Sequence, residues 1–591
     1  MLLNTTASWR AMVGRRAFLA GAAASLAMPR ALGGESLRVF RAGLLTDTHI
    51  HDAPKSCAMV RKAMALFRRE KVDVICHLGD LANEYAPEGF KEYRRIIEET
   101  FGDAVPKTLY AFGGHDRNEY KLQPGEKSRE EAVWAIMRQT FKADHDLNDI
   151  VEFRGYAFVV IQEYASLRTM EELVAKAVAA HPGQPVFVLM HEPAYDTCEK
   201  SVAWGSKKLR GVLGKYPNVI HLSGHSHDTN RNEREMWQGA FTEVNLGCLT
   251  GWLADAGNAD FSLLSHVDDG VMTMDVFPDA VVFHRFSVTT GEEIRPKTPW
   301  TVPLPHDPKT APLRWEARKA ASKAPVWPAA AALDLSWTEE KDWSGLRASL
   351  PEARHADDPY MYVAEAVAAD GRRIAYKEIF GEFWKMPASG RSGRVSFDFD
   401  GTLFAPGEKC RVSVRALDFF DNAGVPLTAE VQVPSAKTKR DVVWKSARPM
   451  EELAFSTHNW GRDRKPFAVG TDGWAETRMD MMSADLPSAA VPAADPVGTE
   501  YRLVYTLDDR HESPLGNWIL GIENAATGKA IRGSRDRARV LTPRGNVGPV
   551  AYVFYFKKTE PGPLPVRISF MYGGDGGRVA VSDIRIERAC R

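Results

Sequence analysis

Between residues 37 and 224 short apolar runs alternate with amphipathic stretches, and five of the runs close on acidic or imidazole side chains. LRVFRAGLLTD (37–47), VDVICHLGD (72–80), KTLYAFGG (107–114), PVFVLMH (185–191) and NVIHLSG (218–224) read as buried strands. VEFRGYAFVVI (151–161) reads as a hairpin around Arg154-Gly155. Helical spacing joins Val60, Met64 and Phe67, and again Phe90, Tyr93, Ile97 and Phe101. Further helices are predicted near 129–142, 169–180 and 203–215, while 236–246 and 261–288 read as additional strands. Strands alternating with helices predict an α/β layered domain with a largely parallel inner sheet over 35–290.

Punctuation changes after that. Pro296, Pro299, Pro303, Pro305, Pro308, Pro312, Pro325 and Pro328 mark 291–330 as an extended linker or a strap over the first domain, because proline fixes φ and removes a donor. Helix signals then nearly vanish. Residues 331–436 predict a small β-sandwich, and 437–591 a second sandwich of jelly-roll type. At the other end, GRRAFLAGAAASLAM sets Arg15-Arg16 before an apolar run from Ala17 to Met28. That run is too short for a bilayer, which takes about 20 residues. With small residues following, 1–34 resembles a twin-arginine signal peptide, predicting a periplasmic or extracellular protein; the bland alternative is a basic terminus or anchor. No later stretch is apolar enough to span a membrane. Lys+Arg number 76 and Asp+Glu 77, a balance that argues against bulk binding to nucleic acid. No CxxC pair occurs, so a thiolate zinc site is not expected.

The polar clusters fall at the carboxyl ends of the predicted strands, the edge where open α/β sheets bind ligands. Asp47-Thr48-His49 follows the first, Gly79-Asp80 the second, Gly114-His115-Asp116 the third, and His191 and His225-Ser226-His227 the last two. Carboxylates and imidazoles together suit Zn, Fe or Mn. Two such ions about 3.5–4 Å apart clamp a phosphoryl group and supply hydroxide near neutral pH. Single fragments carry little weight: Asp-x-His recurs at Asp509–His511 and Gly-Asp at Gly102-Asp103. The ordered set D-x-H, G-D, G-x-H-D, H and G-H-x-H carries the signal.

This set resembles the calcineurin-like metallophosphoesterase superfamily over roughly 37–290. The resemblance implies a four-layer αββα sandwich and two divalent or trivalent metal ions. One is expected on Asp47, His49, Asp80 and His227, the other on Asp80, His191 and His225. It also implies that His115 contacts the phosphate and helps the leaving group, with Asp116 orienting it. The family pattern has asparagine, a metal ligand, where this chain has Gly114. Three readings follow: water or substrate fills the place, Asn118 or Asn83 reaches in, or the second metal is lost.

The expected activity is that of an exported phosphoesterase, with metal-bridged hydroxide attacking a phosphate mono- or diester. The alternative is a surface glycan-binding or adhesion protein with a degenerate phosphoesterase domain. The 331–436 module resembles fibronectin type III and the last module carbohydrate-binding jelly rolls; Trp460, Trp474 and Trp518 are either sugar-stacking or core residues. His77 and His221 read as packed structural residues, Thr46 and Thr48 as turn-bonding groups. Asn245 either lines the cleft or holds a turn, and Tyr195 and Trp204 are substrate contacts or loop anchors.

Overall fold

The computed structural model describes residues 37–589 apart from 51–55, 250–251, 255–263, 267–269, 341–342, 386–390, 435–439, 459–464, 467–468, 478–480, 512, 514–515, 517, 532–538 and 572–576. The signal predicted at 1–34 lies outside the described residues.

Two mixed sheets face each other. The first is built on three parallel strands, β1 (Phe40–Leu45), β2 (Val74–His77) and β3 (Lys107–Tyr110). The second contains β4 (Asp149–Phe153), β5 (Tyr156–Val160), β6 (Val186–Leu189), β7 (Val219–Ser223), β8 (Met236–Gln238) and β9 (Thr242–Asn245), in the order β4-β5-β6-β7-β9-β8. Strands β5, β6, β7 and β9 run parallel. A separate ribbon pairs β10 (Trp252–Ala254) with β11 (Leu264–His266), while β12 (Gly270–Val276), antiparallel to β1, and β13 (Ala280–Ser287), antiparallel to β12, widen the first sheet.

Strand periodicity explains the layering. Phe40 and Leu44 meet Phe158, Phe187 and Leu222 between the sheets, all fully buried. Each such side chain contributes about 1.5–3 kcal/mol on burial. Outside the first sheet lie α1 (Ser56–Glu70), α2 (Pro87–Phe101) and, beyond the short α3 (Gly114–Arg117), α4 (Arg129–Phe141), whose Phe67, Phe90, Ile97 and Trp134 share one core. Outside the second, α5 (Leu167–Ala180) precedes the single turn α6 (Ser201–Trp204) and α7 (Lys207–Leu213). Val174 and Leu209 pack there on Val159 and Val188. Ser128, Ser166 and Ser206 cap α4, α5 and α7 by accepting backbone N–H bonds, each worth about 1 kcal/mol. The result is the predicted αββα sandwich.

The proline-rich segment departs from the extended-linker reading. Residues Glu293–Ile294 (β14) and Trp300–Pro303 (β15) pair with β13, and Trp315–Ala321 (α8) is helical. Proline is tolerated because β15 is short and Pro303 closes it. Burial of Trp300, whose Nε1 donates to Glu233 Oε2 at 2.8 Å, ties the segment to the first domain. No helix among the described residues is long and apolar enough to cross a membrane.

The remainder is β-rich. A three-stranded and a four-stranded sheet enclose Tyr362, Phe397, Phe399, Val412 and Val414. A five-stranded and a six-stranded sheet follow, around Leu503, Tyr505, Leu520, Phe554 and Phe570. Trp518 is fully buried in this last core, so it is a packing residue and not a sugar platform. Trp474 lies between the guanidinium groups of Arg510 and Arg578, and Trp460 lies outside the described residues. Both β modules brace the loop after β6. Tyr360 Oη donates to Glu199 at 2.8 Å, Arg544 pairs with Glu199 at 2.7 Å, and Ser513 Oγ donates to Asp196 at 2.8 Å.

Candidate metal centre

The carboxyl ends of β1, β2, β6 and β7 open onto one place. Asp47, His49, Asp80 and His227 present ligand atoms within 4.8 Å of one another; Asp80, His191 and His225 do the same. Asp80 stands in both groups, so the two share an edge. The individual approaches fit: His227 Nε2 lies 2.9 Å from Asp47 Oδ1, His191 Nε2 3.0 Å from Asp80 Oδ2, and His225 Nδ1 3.2 Å from His191 Nε2.

Left-handed backbone bends the chain at these ligands: Asp47 (φ 51°), His49 (φ 38°), Asp80 (φ 51°), His225 (φ 67°) and His227 (φ 51°) all adopt it. Each costs roughly 1–2 kcal/mol for a residue with a Cβ. Backbone bonds between the loops hold the kinks in place, with Asp47 N–H donating to Gly79 O and His49 N–H to Asp80 O, both at 3.1 Å. Two glycines are required by close approach. A Cβ at Gly113 would overlap Asp80 Oδ1, and one at Gly224 would overlap Thr46 Oγ1.

Charge couples the carboxylates and imidazoles of the cluster. Burial alone would raise the carboxyl groups of Asp47 and Asp80, but the charge of His191 helps hold both well below the usual range. Loss of water pushes His225 down to about 3 and lowers His227, which favours the neutral form of both rings. Burial opposes the charged form of His191, yet Asp80 and Asp47 outweigh it and raise this ring well above its ordinary value. His191 Nδ1 is fixed on the Leu78 carbonyl at 2.8 Å, which directs Nε2 into the centre. Buried carboxylate oxygens and imidazole nitrogens gathered in one place form a donor set that fits borderline metal ions.

His115 stands beside the first group, its ring 5.0 Å from that of His49. Its Nδ1 lies 3.3 Å from Glu84 Oε1. Asp116 does not orient His115, contrary to the expectation from sequence. It is fully buried and accepts N–H bonds from Asp80 (3.1 Å), Leu81 (2.9 Å), Ala82 (3.2 Å) and Gly113 (3.0 Å). Burial, with the charge of Asp80 added, pushes Asp116 up to about 7. It is a clamp on the turn that presents Asp80. Glu84 was missed, although its place in the loop opened by Gly79-Asp80 pointed to this edge.

The atoms nearest to where a side chain at 114 would begin belong to Tyr164 and Glu163, not to Asn118 or Asn83. Asn118 instead ends α3, its N–H bonded to Gly114 O. Burial raises Glu163, and burial together with the charge of Glu163 pushes the neighbouring Glu192 up to about 8.

Other expectations resolve into framework roles. Thr46 Oγ1 donates to Asp47 Oδ2 at 2.7 Å, and Thr48 Oγ1 to the Leu81 carbonyl at 2.7 Å. His77 meets Thr48 Oγ1 at 3.1 Å, and His221 meets Glu243 at 2.6 Å, both inside the core. Asn245 holds a turn, its Nδ2 donating to Gly224 O at 2.7 Å. The Trp204 ring edge faces His225 at 6.2 Å, and the Tyr195 ring lies under Lys207 at 4.5 Å.

No curated protein matches the chain. Among solved structures, a dimetal phosphatase from Danio rerio is 13% identical, aligned over 44% of this chain and 98% of its own, with a TM-score of 0.29. A purple acid phosphatase from yellow lupin (Lupinus luteus) seeds is 14% identical over 44% of this chain and 53% of its own, TM-score 0.32. A phosphoesterase from E. coli is 12% identical over 43% and 96%, TM-score 0.23. Residues 40–229 match the calcineurin-like phosphoesterase family model, a span that takes in all six ligand candidates and His115. Residues 40–229, which carry the Asp/His cluster, therefore form a calcineurin-like phosphoesterase domain.

Proposed function

We propose that the protein is an exported, dinuclear metal-dependent hydrolase of phosphate mono- or diesters. The observation that carries this reading is the meeting of two ligand groups on one shared carboxylate, Asp80, with His115 at their side. Asp47, His49, Asp80 and His227 would hold one ion, and Asp80, His191 and His225 the other, drawn from Fe, Mn or Zn. Two ions so held would lower the pKa of water toward neutrality and offset phosphoryl charge. The chain does the rest. The Leu78 carbonyl sets the His191 tautomer. His115, partly open to solvent and backed by Glu84, donates a proton to the departing alkoxide. Asp116 keeps Asp80 in its left-handed turn through four backbone bonds. The export part of the proposal rests on Arg15-Arg16 and the apolar run behind it; Lys at both positions should leave the protein in the cytoplasm on cell fractionation, and normal export would remove that part.

Hydrolysis of para-nitrophenyl phosphate and its bis ester tests the enzyme. Chelation should abolish turnover, and added Mn, Fe or Zn should restore it. Activity untouched by complete metal removal sinks the reading. On the reloaded protein His115→Ala should lower kcat by roughly 10²–10⁴-fold, the range of a lost general acid. An unchanged kcat takes His115 out of the reaction.

A further inference from the structure

The two ligand groups are unequal. The first offers four ligand atoms, the second, on Asp80, His191 and His225, three. Position 114, at the start of α3 and next to the second group's shared carboxylate, has no side chain. The space is nevertheless filled. A Cβ built at Gly114 would lie 3.5 Å from each carboxylate oxygen of Glu163 and 3.0 Å from the Tyr164 hydroxyl.

Glu163 is brought there by the loop after β5. Ile161 N–H donates to Leu189 O at 2.9 Å at the end of β6, and Tyr164 N–H to Gln162 Oε1 at 2.7 Å. The Arg117 guanidinium stacks on the Tyr164 ring at 3.7 Å and pins the loop to α3. Glu163 thus reaches the same rim as the other ligands, from the sheet opposite Asp80. Its Oε2 is buried and has no hydrogen-bond partner. His191 and Asp80, both members of the three-atom group, act on its charge in opposite senses, the imidazole favouring ionisation and the carboxylate opposing it. A carboxyl oxygen held out of water without a partner stays protonated unless a cation meets it.

We propose that Glu163 is a ligand of the ion held by Asp80, His191 and His225, supplying the oxygen that Gly114 cannot. The inference rests on the dinuclear reading above and refines it. A carboxylate here adds a full negative charge where an amide would add a dipole. The second ion would then be held by two carboxylates and two imidazoles, as many protein ligands as the first.

Metal titration tests it. The metal-free full-length chain is titrated with Mn²⁺ by calorimetry, and bound Mn is counted by elemental analysis and followed by electron paramagnetic resonance. The wild type should take two ions and show an exchange-coupled spectrum. Glu163→Gln, close in size, should bind its first ion as the wild type does and its second roughly 10–100-fold more weakly, the scale for losing one supporting group; at limiting Mn²⁺ it should show an uncoupled six-line spectrum. Should that variant fail to fold, Glu163→Ala is measured in the same way. Two ions bound with unchanged affinity in the variant overturn the role of Glu163 while the dinuclear reading stands. Fewer than two ions in the wild type overturn both.

Discussion

Asp80→Ala should lose turnover by more than the roughly 10²–10⁴-fold expected for removal of a general acid, and should retain neither ion tightly. Asp80 is the one residue present in both ligand groups. Its Oδ2 lies 3.0 Å from His191 Nε2, and its Oδ1 accepts the His115 N–H at 2.9 Å. The substitution therefore weakens both ion sites at once and loosens the turn that carries His115. His191 would also lose the carboxylate that most raises its basicity. Metal content by elemental analysis and kcat on the mono- and diester check the expectation, with circular dichroism to establish that the sheets remain. A variant that still binds two ions and turns over within tenfold of the wild type would disprove the shared-carboxylate arrangement.

Glu233→Ala should destabilise the first domain by about 3–5 kcal/mol, the cost of stripping one partner from a buried ion cluster. Glu233 is 6% exposed and neutralises three guanidinium groups. Arg285 lies 2.8 Å away, Arg318 2.5 Å, and Arg295 is also in contact; Trp300 Nε1 adds a bond at 2.8 Å. All four of these partners come from β13 or the proline-rich segment, and Arg295 goes on to Asp357 in the next module at 3.3 Å. Removing the carboxylate leaves several buried cations facing one another and releases the segment. The same cluster predicts acid sensitivity. Burial would raise Glu233, but the arginines lower it far below a free glutamate. A depressed carboxyl contributes its full stability above the unfolded value of about 4.3 and loses it as pH falls through the folded value. The wild type should thus lose urea resistance below about pH 4, where Glu233→Gln shows a flatter acid limb. Equal acid limbs in the two proteins would remove Glu233 as the cause.

How much of this could be read along the chain depends on distance. Asp47 and His49, or His225 and His227, are two residues apart and each follows its own strand, so a period-two run ending in a polar pair exposes them directly. The same holds for the alternation that separates Phe40 and Leu44 from the polar edge. The role of Asp116 was misread because its neighbour in sequence is His115, whereas three of its bonding partners are backbone amides 34–36 positions away. Glu163 stands 49 positions from the glycine it faces and has no motif around it. Prolines between 296 and 328 suggested an extended linker or a strap over the first domain; the segment pairs with β13 through β15, and its Trp300 meets Glu233, 67 residues upstream.

Sequence by itself determined the domain type, the alternation of strands and helices up to about residue 224, and the side chains able to ligate metal, since each follows from periodicity and from chemistry carried within a few residues. Tertiary structure alone decided which charges meet: Glu163 with Gly114, Glu84 with His115, Glu233 with three arginines. Such pairings depend on loop closure between strands, and Coulomb and hydrogen-bond energies act over a few ångströms of space regardless of how many residues lie between the partners.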